Sequence, residues 1–144
     1  MKIRVLLADD HEMFRDALRM TLELAPGIQV VAQASNGQAV LAAMACAPVD
    51  VVCMDMRMGG LGGLETTRLL LQRFPQTRVI GLSAHDDPVL VREMMDAGAY
   101  GYVLKMDIGR ELVQAIQRVH NNEVYLSPSL STMGSQLARD HHAH

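Results

Sequence analysis

The sequence has no apolar run that approaches the roughly 20 residues needed to cross a bilayer. It begins Met1-Lys2-Ile3-Arg4, which lacks the pattern of a secretory signal peptide. Basic residues are not in excess, because 13 Lys and Arg stand against 16 Asp and Glu, and only 3% of residues are aromatic. These absences predict a cytosolic protein that has no membrane partner and that binds no nucleic acid through this chain alone.

Cysteine is scarce as well. Cys46 and Cys53 form neither a C-x-x-C pair nor a disulfide framework, and both lie in apolar surroundings, so we expect buried, reduced thiols. The 144 residues leave little room for a second domain, and the sequence contains no internal repeat or low-complexity segment. With 49% apolar residues, the chain has enough material for one full hydrophobic core.

Short apolar runs alternate along the chain with segments of helical spacing. The apolar run at 49–55 suits a central parallel strand, whereas Gln29 and Gln33 on one face of a strand suit a sheet edge. Because crossovers between parallel strands are right-handed, the pattern predicts an α/β fold: a doubly wound parallel sheet of five strands with five helices on its two faces. The five predicted strands are residues 3–8, 28–34, 49–55, 78–83 and 101–105.

Several residues indicate where helices begin. Asp87 before Pro88 predicts the start of the fourth helix, and Asp107 predicts the cap of the fifth. Ser127 followed by Pro128 predicts a short extra helix over about residues 128–138, beyond which the chain is expected to fray. The 11 methionines fall at helical spacing, and we expect them mainly to fill the core.

Polar side chains stand at the ends of four predicted strands. The carboxyl ends of parallel strands meet at one edge of the sheet, which is where ligands bind in such folds. Three carboxylates packed there repel one another unless a cation intervenes, and oxygen ligands of this kind suit Mg²⁺. His11 and His85 flank this edge in loops, and we expect both to face solvent. The residues at the strand ends are Asp9, Asp10, Asp55, Ser83 and Lys105.

Four segments together resemble the receiver domain of two-component response regulators, in the branch that precedes a LuxR/NarL-type helix-turn-helix output domain. They are 7–11 (LADDH), 54–58 (MDMRM), 82–87 (LSAHDD) and 98–105 (GAYGYVLK), and they follow the family's order and spacing. The resemblance extends from Lys2 to about Ala138. It implies the flavodoxin-like, or CheY-like, strand order 2-1-3-4-5. It also implies a receiver at 1–122 followed by a linker at 123–144.

The resemblance implies a site for phosphoryl transfer. Asp55 is expected to accept a phosphoryl group from a sensor histidine kinase. Mg²⁺ is expected to be held by Asp10, Asp55 and the backbone carbonyl of Arg57, with Asp9 acting through a bound water. Lys105 is expected to neutralise charge on the phosphoryl oxygens.

A switch is implied by the same resemblance. Ser83 is expected to donate its hydroxyl to the new phosphoryl group and to draw its loop inward, and Tyr102 is expected to rotate into the vacated space. The surface of the fourth helix, fifth strand and fifth helix would then change. Such a change is expected to control homodimerisation or output, in a longer parent protein that regulates transcription.

The sequence departs from the family's usual pattern in two places. Gly59 stands where proline is usual, and Gly62 replaces a polar residue, so the loop that positions Arg57 is less constrained. Only 14 residues follow Leu130, too few for a DNA-binding bundle. We therefore expect either an excised receiver or a protein that works without an output domain.

Three other functions remain as alternatives. A stand-alone or degenerate receiver could act as a phosphorylation-independent protein-binding module, although its acidic residues are intact. A phosphatase or phosphotransferase would need a general acid two positions after Asp55, where Arg57 stands. A flavodoxin-like cofactor binder would need a phosphate cradle at residues 9–12, which are mostly acidic. We expect no enzyme activity beyond self-catalysed phosphorylation and dephosphorylation of Asp55.

The charge balance yields a prediction about DNA. With a formal charge of −3, the chain should produce no sequence-dependent shift of duplex DNA in a gel assay at physiological salt. A shift that persists at raised salt and depends on sequence would contradict it.

Overall fold

Strands and helices alternate throughout residues 2–130, the part of the chain that the computed structural model describes. Each helix here is too short or too polar to cross a membrane. The strands are β1 (Ile3–Ala8), β2 (Ile28–Ala34), β3 (Val51–Asp55), β4 (Arg78–Ser83), β5 (Gly101–Leu104) and β6 (Tyr125–Leu126). The α-helices are α1 (Glu12–Glu23), α2 (Gly37–Cys46), α3 (Gly63–Arg73), α4 (Pro88–Asp96) and α5 (Ile108–His120), and 3₁₀ turns cover Lys105–Asp107 and Pro128–Leu130.

The strands form one parallel sheet in the order β2-β1-β3-β4-β5-β6. The predicted order of the first five strands is confirmed. β3 lies in the interior of the sheet and is buried along its whole length, and β2 forms an edge with Gln29 and Gln33 exposed. The sixth strand was not predicted, because two residues are too few to give a periodic signal.

Helices cover both faces of the sheet, as the alternating pattern predicts. α2, α3 and α4 pack on one face through residues such as Val40, Leu70 and Met94. α1 and α5 pack on the other through residues such as Leu22 and Ile116. Successive strand side chains point to opposite faces, so each strand contributes to both cores.

Two of the helix starts use a side-chain cap. Asn36 accepts a hydrogen bond from the N–H of Ala39 at 2.8 Å, and Asp87 accepts from the first turn of α4 as predicted. Asp107 stands at the predicted N-cap position of α5, but its side chain makes no cap hydrogen bond. Its backbone is already helical, at φ −101° and ψ −1°, rather than in the extended conformation that directs a cap toward the first amides.

Two predictions about burial are wrong in part. Met13, Met20 and Met106 are 87%, 63% and 79% exposed. Met13 and Met20 lie on a face of α1 where apolar residues also recur at helical spacing, but the sheet does not cover that face. Cys46 is exposed at the last position of α2, whereas Cys53 is fully buried, and burial raises the pKa of its thiol to about 12.

The chain after α5 runs along β5. Tyr125 and Leu126 pair with Gly101 and Tyr102 as β6. The buried Ser127 hydroxyl accepts a hydrogen bond from the N–H of Leu104 at 2.9 Å, and the side chain of Leu130 is buried. Of the extra helix predicted at 128–138, the described part is a 3₁₀ turn, Pro128–Leu130; the rest lies outside the described residues.

Gly59 and Gly60, in the loop between β3 and α3, differ in backbone conformation. Gly60 has φ +73°, a left-handed conformation, whereas Gly59 lies outside that region and a Cβ there would meet no atom of residues 2–130 within 4 Å. Gly59→Pro should therefore raise the free energy of unfolding by roughly 0.4–1 kcal/mol, through the entropy of the unfolded chain.

Urea denaturation measures this change, with Gly60→Ala as the matched control. That variant forces an alanine into the left-handed region and should lose stability. A Gly59→Pro variant that is less stable than the parent would contradict the prediction. It would mean that the loop uses the Gly59 N–H as a hydrogen-bond donor or holds Gly59 in a backbone conformation that proline cannot adopt.

Candidate metal and phosphoryl-transfer site

The ends of β1, β3 and β5 bring the predicted charged residues together at one edge of the sheet. One carboxylate oxygen each from Asp9, Asp10 and Asp55, with a ring nitrogen of His11, lie within 4.8 Å of one another. Asp9 and Asp55 are buried, whereas Asp10 and His11 are exposed. The group is thus an acidic pocket, open on one side, that could hold a metal ion.

Asp9 is fixed on several sides. Its Oδ1 accepts the N–H of His11 at 2.8 Å, and its Oδ2 accepts from Lys105 Nζ at 3.1 Å. The guanidinium of Arg15 donates to the Asp9 carbonyl at 2.6 Å, which ties the first turn of α1 to the end of β1. Sequence reasoning did not identify Arg15, because an arginine near a helix start has no distinguishing spacing.

Asp55 keeps one oxygen without a hydrogen bond. Its Oδ1 accepts the N–H of Arg57 at 3.2 Å. Its buried Oδ2 lies 3.4 Å from Lys105 Nζ but has no hydrogen-bond partner among the described residues. Burial raises the pKa of the Asp55 carboxyl, and the charge of Asp9 adds to that rise, while the Arg57 N–H and Lys105 act against it.

Ser83 and Tyr102 lie on the neighbouring strands β4 and β5. The Ser83 hydroxyl donates to the carbonyl of His85 at 3.0 Å and accepts its N–H at 3.2 Å. Tyr102 is fully buried, and burial raises the pKa of its phenol. Its hydroxyl has no hydrogen bond of good geometry within residues 2–130, although Ser83 lies near enough to lower that pKa in part.

The Tyr102 ring already points into the protein because Gly81, its partner on β4, leaves room for it. A Cβ placed on Gly81 would lie 2.9 Å from a ring carbon of Tyr102. The resemblance implies that Tyr102 rotates inward upon phosphorylation, and the structure has this ring fully buried.

His11 was expected to face solvent, and its side chain is 71% exposed. Its Nδ1 nevertheless lies 3.2 Å from a carboxylate oxygen of Asp9 and 3.1 Å from one of Asp10. His85 is exposed, as expected. The direction of the His11 ring is set by the cap position before α1, which sequence spacing does not reveal.

A family model for the response regulator receiver domain matches residues 5–117. The chain belongs to this family. The receiver is 40% identical over 129 residues to the response regulator UvrY of Escherichia coli strain K12, covering 90% of this chain and 59% of that protein. It is 38% identical over 129 residues to GacA of Pseudomonas aeruginosa, covering 90% and 60%. The chain thus spans about three fifths of the length of these two curated relatives.

Solved receivers have the same fold. A LuxR-family two-component response regulator from Aurantimonas sp. SI85-9A1 superposes with a TM-score of 0.89 at 31% identity, covering 94% of this receiver and 97% of that chain. The receiver domain of a putative response regulator NarL from Mycobacterium tuberculosis superposes with a TM-score of 0.80 at 33% identity, covering 85% and 98%. The predicted family is therefore confirmed.

The raised pKa of Asp55 makes its charge a cost to the fold. The Asp55 carboxyl holds its proton more tightly in the folded receiver than in the unfolded chain. Ionisation of Asp55 therefore lowers the free energy of unfolding. This loss is absent at pH values below the pKa of Asp55 in the unfolded chain and complete at pH values above its pKa in the folded receiver. In chelator at pH 7, Asp55→Asn should therefore melt on the order of a few degrees higher than the parent. The gain should disappear as pH falls toward 4.

Asp50→Asn is the matched control, because Arg4 lowers the pKa of Asp50 mainly through a side-chain hydrogen bond. This variant should lose stability at pH 7, and the loss should fade in acid. Thermal melts between pH 4 and 7 give the melting temperatures of both variants and of the parent as a function of pH. An Asp55→Asn variant that melts below the parent at pH 7 would contradict the prediction.

Proposed function

We propose that the receiver takes a phosphoryl group from a sensor histidine kinase onto Asp55. The observation that carries the proposal is the buried Oδ2 of Asp55, which has no hydrogen-bond partner within residues 2–130 and lies 3.4 Å from the Lys105 ammonium. An Asp55 oxygen bonds to phosphorus while the bond from phosphorus to the imidazole nitrogen of the kinase's phosphohistidine breaks. The electron pair of that bond leaves with the imidazole nitrogen.

The donor atoms of the pocket fit Mg²⁺. Oxygens of three carboxylates converge there, two of them on buried side chains, and buried carboxylates repel one another without a cation. We assign Asp10, Asp55 and the Arg57 carbonyl as direct ligands, and Asp9 as a ligand through water. When bound, Mg²⁺ would offset this negative charge and draw charge from the phosphoryl oxygens.

The remaining polar residues act on the phosphoryl group. The Lys105 ammonium, which neutralises Asp9 before the reaction, would bind a phosphoryl oxygen after it. The Ser83 hydroxyl would leave the His85 carbonyl and donate to another oxygen, which pulls the loop after β4 toward Asp55. The reaction is limited to Asp55 itself, because Arg57 stands where a general acid would be needed for turnover.

Ser83 and Tyr102 would transmit this change. The Tyr102 ring fills the space beside Gly81, so the loop's movement toward Asp55 would fix the ring in its buried position. The resulting surface is formed by α4, β5 and α5. We propose that this surface controls homodimerisation or output, and that the longer parent protein regulates transcription, as expected for relatives of LuxR type.

We propose a receiver at 1–122 and a linker at 123–144. The change of chain direction at Asn122, which has φ +65°, supports this boundary. Residues 125–127 then bond to β5, so the linker would start from the strand that carries Tyr102.

Intact-mass measurement tests the proposed phosphorylation. With Mg²⁺ and acetyl phosphate, the parent should gain the mass of one phosphoryl group, while Asp55→Asn should gain none. Chelator should abolish the gain, and Asp10→Ala should greatly reduce it because a direct ligand is lost. An undiminished gain in Asp55→Asn would refute Asp55 as the acceptor.

Light scattering tests the proposed dimer. At high protein concentration, Mg²⁺ with beryllofluoride should double the molar mass of the parent, because the phosphate mimic stabilises the altered surface. The control is Asp55→Asn under the same conditions, which should remain at its starting mass. A parent whose mass does not change would count against phosphorylation-controlled dimerisation.

A further inference from the structure

Lys105 is held on three sides at the edge of the sheet. Its Nζ lies 3.1 Å from Asp9 Oδ2 and 3.4 Å from Asp55 Oδ2. On a further side, the same atom lies 4.7 Å from the centre of the Phe14 ring. This distance is within the range over which the negative face of an aromatic ring attracts a cation.

We infer that Phe14 is a positioning residue for the proposed phosphoryl transfer, because its ring holds the Lys105 ammonium against the two carboxylates. The inference rests on the proposed function and adds a residue to it. Phe14 does not touch the phosphoryl group and acts through Lys105. Its place on the same face of α1 as the buried Leu18 and Leu22 would by itself indicate only a role in packing.

The fold explains why this phenylalanine reaches the site. α1 begins at Glu12, two positions after the second residue of the acidic pair, and Phe14 lies in its first turn, one turn before the buried Leu18. Phe14 is half-buried and packs against the core beneath α1 and α5. Lys105 follows β5 directly, so the ring and the ammonium meet from two elements that are 91 positions apart in sequence.

Restricting the motion of the Lys105 ammonium should increase the rate at which Asp55 is phosphorylated. A lysine side chain has four rotatable bonds and a strongly hydrated charge, so an unrestrained ammonium must be ordered and partly dehydrated during the reaction. An aromatic face offsets part of the lost hydration and limits the positions open to the ammonium. Leucine would fill a similar apolar volume without attracting the cation.

The experiment compares Phe14→Leu with Phe14→Tyr, which keeps the aromatic face. The control is Phe74→Leu, because Phe74 is the other phenylalanine of the sequence, is also half-buried, and lies where α3 ends. Circular dichroism melts establish that each variant is folded at the temperature used. Acetyl phosphate serves as donor, so that kinase docking has no part: Asp55 bonds to phosphorus, the phosphorus–oxygen bond to acetate breaks, and acetate leaves with the electron pair.

The position of Lys105 is read directly by NMR. The sequence has two lysines, Lys2 and Lys105, so a protein labelled with ¹³C at lysine shows two sets of ε-methylene signals. A phenyl ring shifts protons above its face upfield. The Lys105 signal should therefore lie upfield of the Lys2 signal in the parent, Phe14→Tyr and Phe74→Leu, and should lose this shift in Phe14→Leu.

The phosphorylation rate should follow the NMR signal. Phe14→Leu should be phosphorylated about three- to tenfold more slowly than the parent, whereas Phe14→Tyr and Phe74→Leu should stay near the parent rate. If the Lys105 signal of the parent protein shows no upfield shift, that result alone overturns the inference. A folded Phe14→Leu variant that reacts at the parent rate would also overturn it, while Asp55 remains the acceptor. A parent that takes no phosphoryl group would overturn the proposed function and this inference with it.

Discussion

The site depends on one electrostatic constraint: two buried carboxylates, Asp9 and Asp55, share a half-buried counter-charge, the Lys105 ammonium. The ammonium lies within 3.4 Å of an oxygen of each, yet the pKa of Asp55 stays raised. Lys105 therefore compensates only part of the cost of burying both charges. The pocket therefore keeps excess negative charge, and its carboxylates could hold a further cation.

The parallel sheet is what creates this constraint. Asp9, Asp55 and Lys105 each stand where a strand ends, and the register β1–β3–β4–β5 brings those ends to one edge. An antiparallel pairing would send alternate strand ends to opposite edges of the sheet. The charged residues can thus lie far apart in sequence and still be fixed by backbone hydrogen bonds rather than by flexible loops.

The fold and the acidic pocket could be predicted because they depend on signals that repeat along the chain. Alternating strands and helices gave the sheet, and strand ends placed Asp9, Asp10, Asp55 and Lys105. What could not be predicted depends on the direction of single side chains or on very short elements.

Particular residues show this limit. The exposure of Met13 depends on how wide an arc of α1 the sheet covers, and apolar spacing alone does not report that width. The His11 ring turns toward the carboxylates from a cap position, and β6 has only two residues. Asp107 has the right residue type for a cap but the wrong backbone conformation. In each case a local geometric detail decides the outcome.

The strand β5 connects the site to the chain that follows α5. The backbone carbonyl of Tyr102 accepts a hydrogen bond from the N–H of Ser127 at 3.1 Å. The N–H of Leu104, the residue before Lys105, donates to the Ser127 hydroxyl. A chain that ended at residue 122 would leave that buried N–H without its acceptor, and an unpaired buried N–H costs about 1–3 kcal/mol. Residues 125–127 therefore act structurally as part of the sheet, although they follow α5.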